Sequence, residues 1–379
     1  MKYFVGTRGS KLALVQTNLV IDRLKSAYPK DEFEAVVIKT TGDIEKNRQL
    51  DQIGSKGIFV KEIEEELLEG KIHMAVHSLK DMPDEPAKGL TFSKAWTRED
   101  SRDVLILRDV KSLDELPEGA VIGTGSKRRK FQLLKIRPDL RVVGIRGNID
   151  TRLRKLYNKE IVCDDNYKDG LILDGIVIAA AGIKRIGRQA EITQYLSVDD
   201  MIPAPAQGTL ALEVRADNYD LIKKLDALSD ERTDICVNAE RGFLKMIGGN
   251  CHTPVAAYCD YDSDGKLKLR AMYGREDGSS IAATIVGEDD VSCDDVSEYN
   301  ISCEDVCCDD ISGDDVSCDD VGCGDISGDD ANGDDVSCDD VSEYGINVLD
   351  EGKRQKSNIY IVGRKMVAKA VDCIQGELD

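Results

Sequence analysis

Four times in the first half of the chain, a short β-rich run ends in a turn of Gly, Ser or Thr and passes straight into an amphipathic helix. The first strand ends at Val5; the loop Gly6–Ser10 follows, Ser10 is a natural N-cap, and Leu12, Val15, Leu19, Val20 and Leu24 make the apolar stripe of a helix that stops before Pro29. The unit recurs at Val121–Ser126 before Lys127–Leu134, at Arg141–Asn148 before Ile149–Tyr157, and at Gly175–Gly182 before Ile183–Ile186. Strands alternating with helices predict an α/β fold, with parallel sheets covered by helices on both faces. In such sheets ligands bind at the carboxyl ends of the strands, where helix N-termini offer free N–H groups to anions.

These turns and their neighbours carry Arg8, Lys80, Arg128, Arg129, Arg146, Arg152 and Arg185. Any one alone reads as a surface charge; seven at equivalent places read as a set facing one anionic ligand. Guanidinium forks suit carboxylates, at roughly 1.5–3 kcal/mol net for a charge-assisted hydrogen bond. The ligand is therefore expected to carry several carboxylates. A nucleotide fits less well: Arg128 stands where a dinucleotide fingerprint needs its third Gly, and no Gly-x4-Gly-Lys-Ser/Thr is present.

The overall charge is misleading here. The 379 residues include 51 Lys+Arg against 72 Asp+Glu, a formal charge of −21. Residues 288–343 hold 22 of the acidic residues and no Lys or Arg, so the other 323 carry +1. That segment repeats a five-residue unit, as in Asp289-Asp290-Val291-Ser292-Cys293 and Asp334-Asp335-Val336-Ser337-Cys338, and holds seven of the 12 Cys. Three readings stay open: a solvated, disordered expansion that cannot offset its ordering entropy, a thiolate and carboxylate metal-binding tract, and a pentapeptide solenoid, which would turn its first Asp inward at high cost.

At ~100–200 residues per domain the length predicts two or three domains. With neither an apolar run of ~18 residues nor a signal-like start, the expectation is a cytoplasmic protein with reduced thiols and no membrane partner.

Two more segments stand out. Ile72–Ser78 reads as a strand leading into Leu79-Lys80-Asp81-Met82-Pro83, so an acid and a base share a strand end. His73 and His77 are four apart, but no Glu follows His73 and strand periodicity fits better, so no metal site is expected. On these residues alone Asp81 is either a reactive acid or an ion-pair partner for a nearby Arg. In Gly248–Pro254, Cys251 lies in a glycine-rich turn, where a thiol is as readily inert as reactive.

Taken in order, Thr7–Ser10, Gly54–Glu62, Ala75–Pro83, Arg98–Asp100, Gly123–Arg129, Arg146–Asn148, Ala181–Arg185, Pro203–Gly208 and Gly249–Cys251 make a pattern that resembles the porphobilinogen deaminase (hydroxymethylbilane synthase) family. The resemblance covers about residues 3–287 and a terminal helix near 363–374. It implies a transferase that joins four porphobilinogen molecules head to tail, with loss of ammonia, on a covalent dipyrromethane cofactor. By motif Cys251 holds that cofactor through a thioether, and Asp81 is the catalytic carboxylate that steadies the cationic azafulvene and shuttles protons. Arg8, Arg146, Arg152 and Arg185 fall mainly to substrate and growing chain. Ser10, Lys80, Thr124, Ser126, Arg128, Arg129 and Gln207 fall mainly to the cofactor, and Lys56 and Phe59 to a mobile loop over the cleft. Asn250 and Ala206 depart from the family's usual glycines, and the acidic segment is the large departure.

The implied architecture is two doubly wound domains resembling periplasmic binding proteins, plus a small α/β domain carrying the cofactor cysteine. The expected boundaries are 1–98 with 204–228, 99–203, and 229–379, with the acidic insert 288–343 looping from an edge of the third. A monomer that uses neither metal nor nucleic acid is expected. The alternative is a non-catalytic carboxylate-binding protein on the same two-domain fold, which would need neither Asp81 nor Cys251.

Overall fold

The computed structural model describes residues 1–40, 60–83, 85–164, 167–248, 254–274 and 280–286, with Val367, Ala368 and Val371. Lys56, Phe59, Cys251 and the insert 288–343 lie outside the described residues.

The first lobe is a five-stranded sheet. Strand β1 (Lys2–Arg8) runs parallel to β2 (Glu32–Ile38) and β3 (Met74–Ser78), while β12 (Leu210–Arg215) lies antiparallel between β3 and β4 (Leu90–Phe92). Helix α1 (Lys11–Ala27) and helix α6 (Tyr219–Asp226) cover one face through Val20, Ile21, Leu24, Leu221 and Leu225; helix α2 (Lys61–Leu68) covers the other through Ile63 and Leu67. Each such fully buried aliphatic side chain contributes about 1.5–3 kcal/mol of transfer free energy.

The second lobe repeats the plan. Its strand order is β11 (Gln194–Tyr195), β5 (Asp103–Leu107), β10 (Gly175–Ala179), β6 (Val121–Gly123), β7 (Arg141–Val143). Successive side chains of a strand point to opposite faces. Accordingly Val104 and Ile106 of β5 pack with helix α4 (Ile149–Tyr157) and helix α5 (Ala180–Arg185), while Leu105 and Leu107 share a cluster with Leu133 of helix α3 (Lys127–Ile136). A separate hairpin of β8 (Ile161–Asp164) and β9 (Tyr167–Ile172) leads out of α4.

A third unit joins helix α7 (Glu231–Met246) to the antiparallel meander β13 (Val255–Tyr261), β14 (Leu267–Gly274), β15 (Ser280–Val286). Ile235, Ala239 and Phe243 of α7 pack on Ala257, Leu269 and Ala271, and Val367 and Val371, one helical turn apart, share that core. Among the described residues no helix is long and apolar enough to cross a membrane.

Three expectations need correction. Neither sheet is wholly parallel: β5 enters the second lobe and β12 returns to the first, and each runs against its neighbours because it arrives by an inter-lobe crossover instead of a helix. Strand β1 continues past Val5 to Arg8, since β2 pairs with it along its whole length. The buried face of α1 is Gln16, Thr17, Val20, Ile21 and Leu24, with Leu19 50% exposed; the helix is turned so that Gln16 Nε2 donates to Ser78 Oγ at 2.9 Å.

The two crossovers touch. Glu99 N–H donates to Gly208 O at 3.3 Å, and Arg98 Nε donates to Gln207 O at 2.7 Å. Gly208 has φ +94°, and a Cβ there would stand 2.4 Å from Glu99 O, so backbone meets backbone where no side chain fits. Ala206, two residues earlier, holds φ +60°, a conformation that glycine adopts more cheaply.

Candidate active site

The candidate acid and base are placed by one strand end. After β3 the chain makes a single 3-10 turn over Leu79–Asp81, anchored by Leu79 N–H on Thr209 O at 3.1 Å and closed by Met82 N–H on Leu79 O at 3.1 Å. Leu79 and Met82 are buried, Lys80 is half-buried and Asp81 is exposed.

Lys80 starts a polar chain that crosses between lobes. Its Nζ donates to Gln207 Oε1 at 3.2 Å, and Gln207 Nε2 donates to Asp103 Oδ1 at 2.9 Å and to Ser101 O at 2.7 Å. Asp103, fully buried at the start of β5, takes Arg128 Nη1 on Oδ2 at 2.7 Å and Arg129 Nε and Nη2 on Oδ1 at 3.0 and 2.8 Å. Arg128 also donates to Ile202 O, and Arg129 to Val177 O. Burial alone would raise the Asp103 carboxyl, but the two guanidinium groups hold it well below the usual carboxylate range.

Of the remaining cations, Arg152 and Arg185 have contacts in this region. Arg152 donates from Nε to Gly147 O at 2.8 Å, and burial, with the charge of Arg129, pushes it down to about 10 against the pull of Asp81. Burial pushes Lys80 down to about 8, with Arg129 and Arg128 acting the same way and Asp81 and Asp103 opposing. Arg185, at the end of α5, donates to Gly208 O at 2.6 Å and is pushed down to about 10 by burial against Glu99. Arg8 ends β1 half-buried, and Arg146 is exposed in the turn after β7. Thr124 is buried after β6 and accepts Ser126 N–H at 3.2 Å. Ser10 and Ser126 cap α1 and α3, accepting Ala13 N–H at 3.2 Å and Arg129 N–H at 3.5 Å. The serines thus take up helix N–H groups that the bare sequence pattern offers to an anion.

His73 and His77 have other partners than a metal. Phe4 N–H donates to His73 Nδ1 at 3.0 Å, and His77 Nε2 lies 3.1 Å from Glu213 Oε2 across the buried β3–β12 ladder.

Three residues that organise this region carry little mark in the sequence. Asp103 opens an apolar strand, and a charge flush against such a run was a usable signal. Glu240 falls on the buried stripe of α7, between Cys236 and Phe243, which was another. Arg98 falls within the Arg98–Asp100 motif, but nothing local points to Glu240, 142 residues away, whose Oε1 and Oε2 take its Nη1 and Nη2 at 2.6 and 3.0 Å.

Buried and half-buried cations at strand ends of the two lobes, Lys80, Arg152 and Arg185 among them shifted down chiefly by burial, suit a small ligand bearing several anionic groups, and a polycarboxylate cofactor fits that donor set. Two α/β lobes joined by two crossovers, with cations at their junction, define the class of two-lobed α/β proteins. Residues 3–223 match the family described as porphobilinogen deaminase, dipyromethane cofactor binding domain, and residues 234–303 match porphobilinogen deaminase, C-terminal domain. The porphobilinogen deaminase of Lachnospira eligens is 56% identical over 281 residues, 74% of this chain and 92% of that one. That of Clostridioides difficile is 52% identical over 290 residues, 76% of this chain and 92% of that one. The chain belongs to the porphobilinogen deaminase family. Among solved structures, the methionine-binding protein MetQ aligns with 60% of this chain and 89% of that one at 14% identity and a TM-score of 0.37, a likeness too slight to build on.

Proposed function

We propose that this chain, a transferase of tetrapyrrole biosynthesis, joins four porphobilinogen molecules head to tail with loss of ammonia, using Asp81 as its catalytic carboxylate. One observation carries the reading: a continuous hydrogen-bonded chain from Lys80 through Gln207 and Asp103 to Arg128 and Arg129 spans both lobes beside Asp81. Family membership disfavours the alternative of a non-catalytic carboxylate binder.

The dipyrromethane cofactor supplies, when bound, the pyrrole primer that the first substrate extends. Cys251 would hold it by a thioether, with Lys80, Arg128, Arg129, Gln207, Thr124, Ser126 and Ser10 toward its carboxylates. Arg8, Arg146, Arg152 and Arg185 would orient incoming acetate and propionate groups, and the family resemblance gives Lys56 and Phe59 the part of excluding water. In each coupling the aminomethyl C–N bond breaks, ammonia leaves, and a cationic methylene pyrrole remains. Asp81 stabilises that positive charge and accepts the ring proton that leaves once the new C–C bond has formed. The Asp81 carboxylate is exposed and acts electrostatically on Lys80 and Arg152, so in this reading it meets pyrrole N–H groups while the cations hold the carboxylates.

The same proposal divides the chain into 1–98 with 204–228, 99–203, and 229–379, and has it act as a cytoplasmic monomer without nucleic acid. Intact mass spectrometry tests the function. Protein expressed with its substrate available is expected to carry a dipyrromethane-sized adduct that Cys251→Ser removes; absence of the adduct from the parent protein would refute the enzyme reading.

A further inference from the structure

The turn bearing Asp81 is gripped from the third unit. Along α7, Val237, Arg241 and Lys245 fall at i, i+4 and i+8, and therefore on one side of the helix. All three meet the segment 79–85. Val237 shares a buried cluster with Leu79 and Met82, and Lys245 Nζ lies 3.2 Å from Glu85. Between them, Arg241 donates from Nη2 to Pro83 O at 2.6 Å and from Nη1 to Leu79 O at 3.4 Å, with its guanidinium 5.8 Å from the centre of the Phe92 ring. Those two carbonyls bracket Asp81 in the chain, and Leu79 O is the same acceptor that closes the turn.

We propose that Arg241 is a positioning residue for Asp81: its fork fixes the backbone on both sides of the acid and ties it to the helix that leads to Cys251. The inference rests on the reading of Asp81 as the catalytic carboxylate. A planar guanidinium can hold two carbonyls in fixed relation, whereas an ammonium, as a point donor, holds one well. The fork therefore sets where the acid stands relative to α7. A small displacement of a reacting group is costly even when its source is remote: about 1 Å can cost on the order of 10²-fold in rate.

The test compares Arg241→Met, Arg241→Lys, Asp81→Asn and the double variant Arg241→Met/Asp81→Asn, with kcat, KM for porphobilinogen and the cofactor adduct mass measured for each. Arg241→Met is expected to retain the adduct and keep KM within about twofold while kcat falls by roughly 10- to 100-fold. Arg241→Lys should recover part of that loss. In the Asp81→Asn background Arg241→Met should cost no more than about twofold further, because a residue that acts through Asp81 has nothing left to position. Full kcat in Arg241→Met, or a loss that multiplies undiminished with that of Asp81→Asn, would overturn the proposal. Failure of the underlying reading looks different, since Asp81→Asn would then keep its turnover. If Arg241→Met does not fold, Arg241→Lys carries the same readouts, and an unchanged kcat in it together with an undiminished product in the Asp81→Asn background counts against the proposal.

Discussion

Glu240 receives both terminal nitrogens of Arg98, at 2.6 and 3.0 Å, with Glu240 fully buried and the Arg98 side chain 12% exposed. Burial by itself would lower the Arg98 guanidinium, but the charge and hydrogen bonds of Glu240 raise it. The carboxylate has two further donors, Ala206 N–H at 2.6 Å and Cys259 N–H at 2.8 Å. Both crossovers and the third unit thus converge on one side chain. Arg98→Met is expected to destabilise the protein by about 3–5 kcal/mol, because it leaves the buried Glu240 without its counterion. Urea unfolding measures this, and the double variant Arg98→Met/Glu240→Gln should regain part of the loss.

Asp81→Asn is expected to lower kcat by at least about 10²-fold, the usual scale for a lost acid–base or charge-stabilising group, without loss of the cofactor adduct or of thermal stability. Steady-state assay with intact mass checks both halves, and full activity would remove Asp81 from the mechanism.

Lys80 gives the site a pH dependence whose sign follows from its depressed value. In the ligand-free protein it titrates near 8, well under the ordinary 10.5, so the unfolded chain holds more protons between those values and this group makes stability rise with pH across that window. Below about 8 the lysine is charged in both states and its penalty is fully present. Anion binding favours the charged form, so affinity of Cys251→Ser protein for a free dipyrromethane bearing acetate and propionate arms should fall as pH rises through about 8. Calorimetry across pH 6.5–9.5 would show it, and Lys80→Met should flatten the curve.

Gly208→Ala should destabilise the protein by about 1–3 kcal/mol, since φ +94° disfavours a side chain and the new methyl would press on Glu99 O. Ala206→Gly has opposing terms: relief of about 1–2 kcal/mol at a left-handed position against about 0.8 kcal/mol for one buried methyl group, so it should fall within about 1 kcal/mol of the parent. Chemical denaturation resolves both.

Deleting residues 288–343 is expected to leave turnover intact, because relatives matched over 92% of their own length align with only 74–76% of this chain. A turnover assay beside ion-exchange elution, as the formal charge moves from −21 to +1, checks it.

The sequence was most informative where chemistry is local. Ser10 as the cap of α1, the helix at Ile149–Tyr157 and the strand ending at Ser78 all follow from residues within a few positions of one another, and each is found. Directions set by distant neighbours were not legible. That β5 and β12 run against their neighbours depends on which lobe the chain enters next, and no periodicity records that. The same limit applies to the site. The arginines at strand ends were visible as a set, but Arg128 and Arg129 turn to a buried Asp103 that no turn motif contains. Arg241 was invisible for a like reason, since its partners are backbone carbonyls, which carry no residue identity.

The paired crossovers have a mechanical consequence. A single connecting strand would let two lobes swivel about it freely, whereas two strands fastened side by side, by Glu99 to Gly208 and by Arg98 to Gln207, resist torsion and leave bending as the soft direction. Such a strap favours bending over twisting between the lobes. Lys80 and Asp103 meet through Gln207 of that same strap, so bending about it would displace them least.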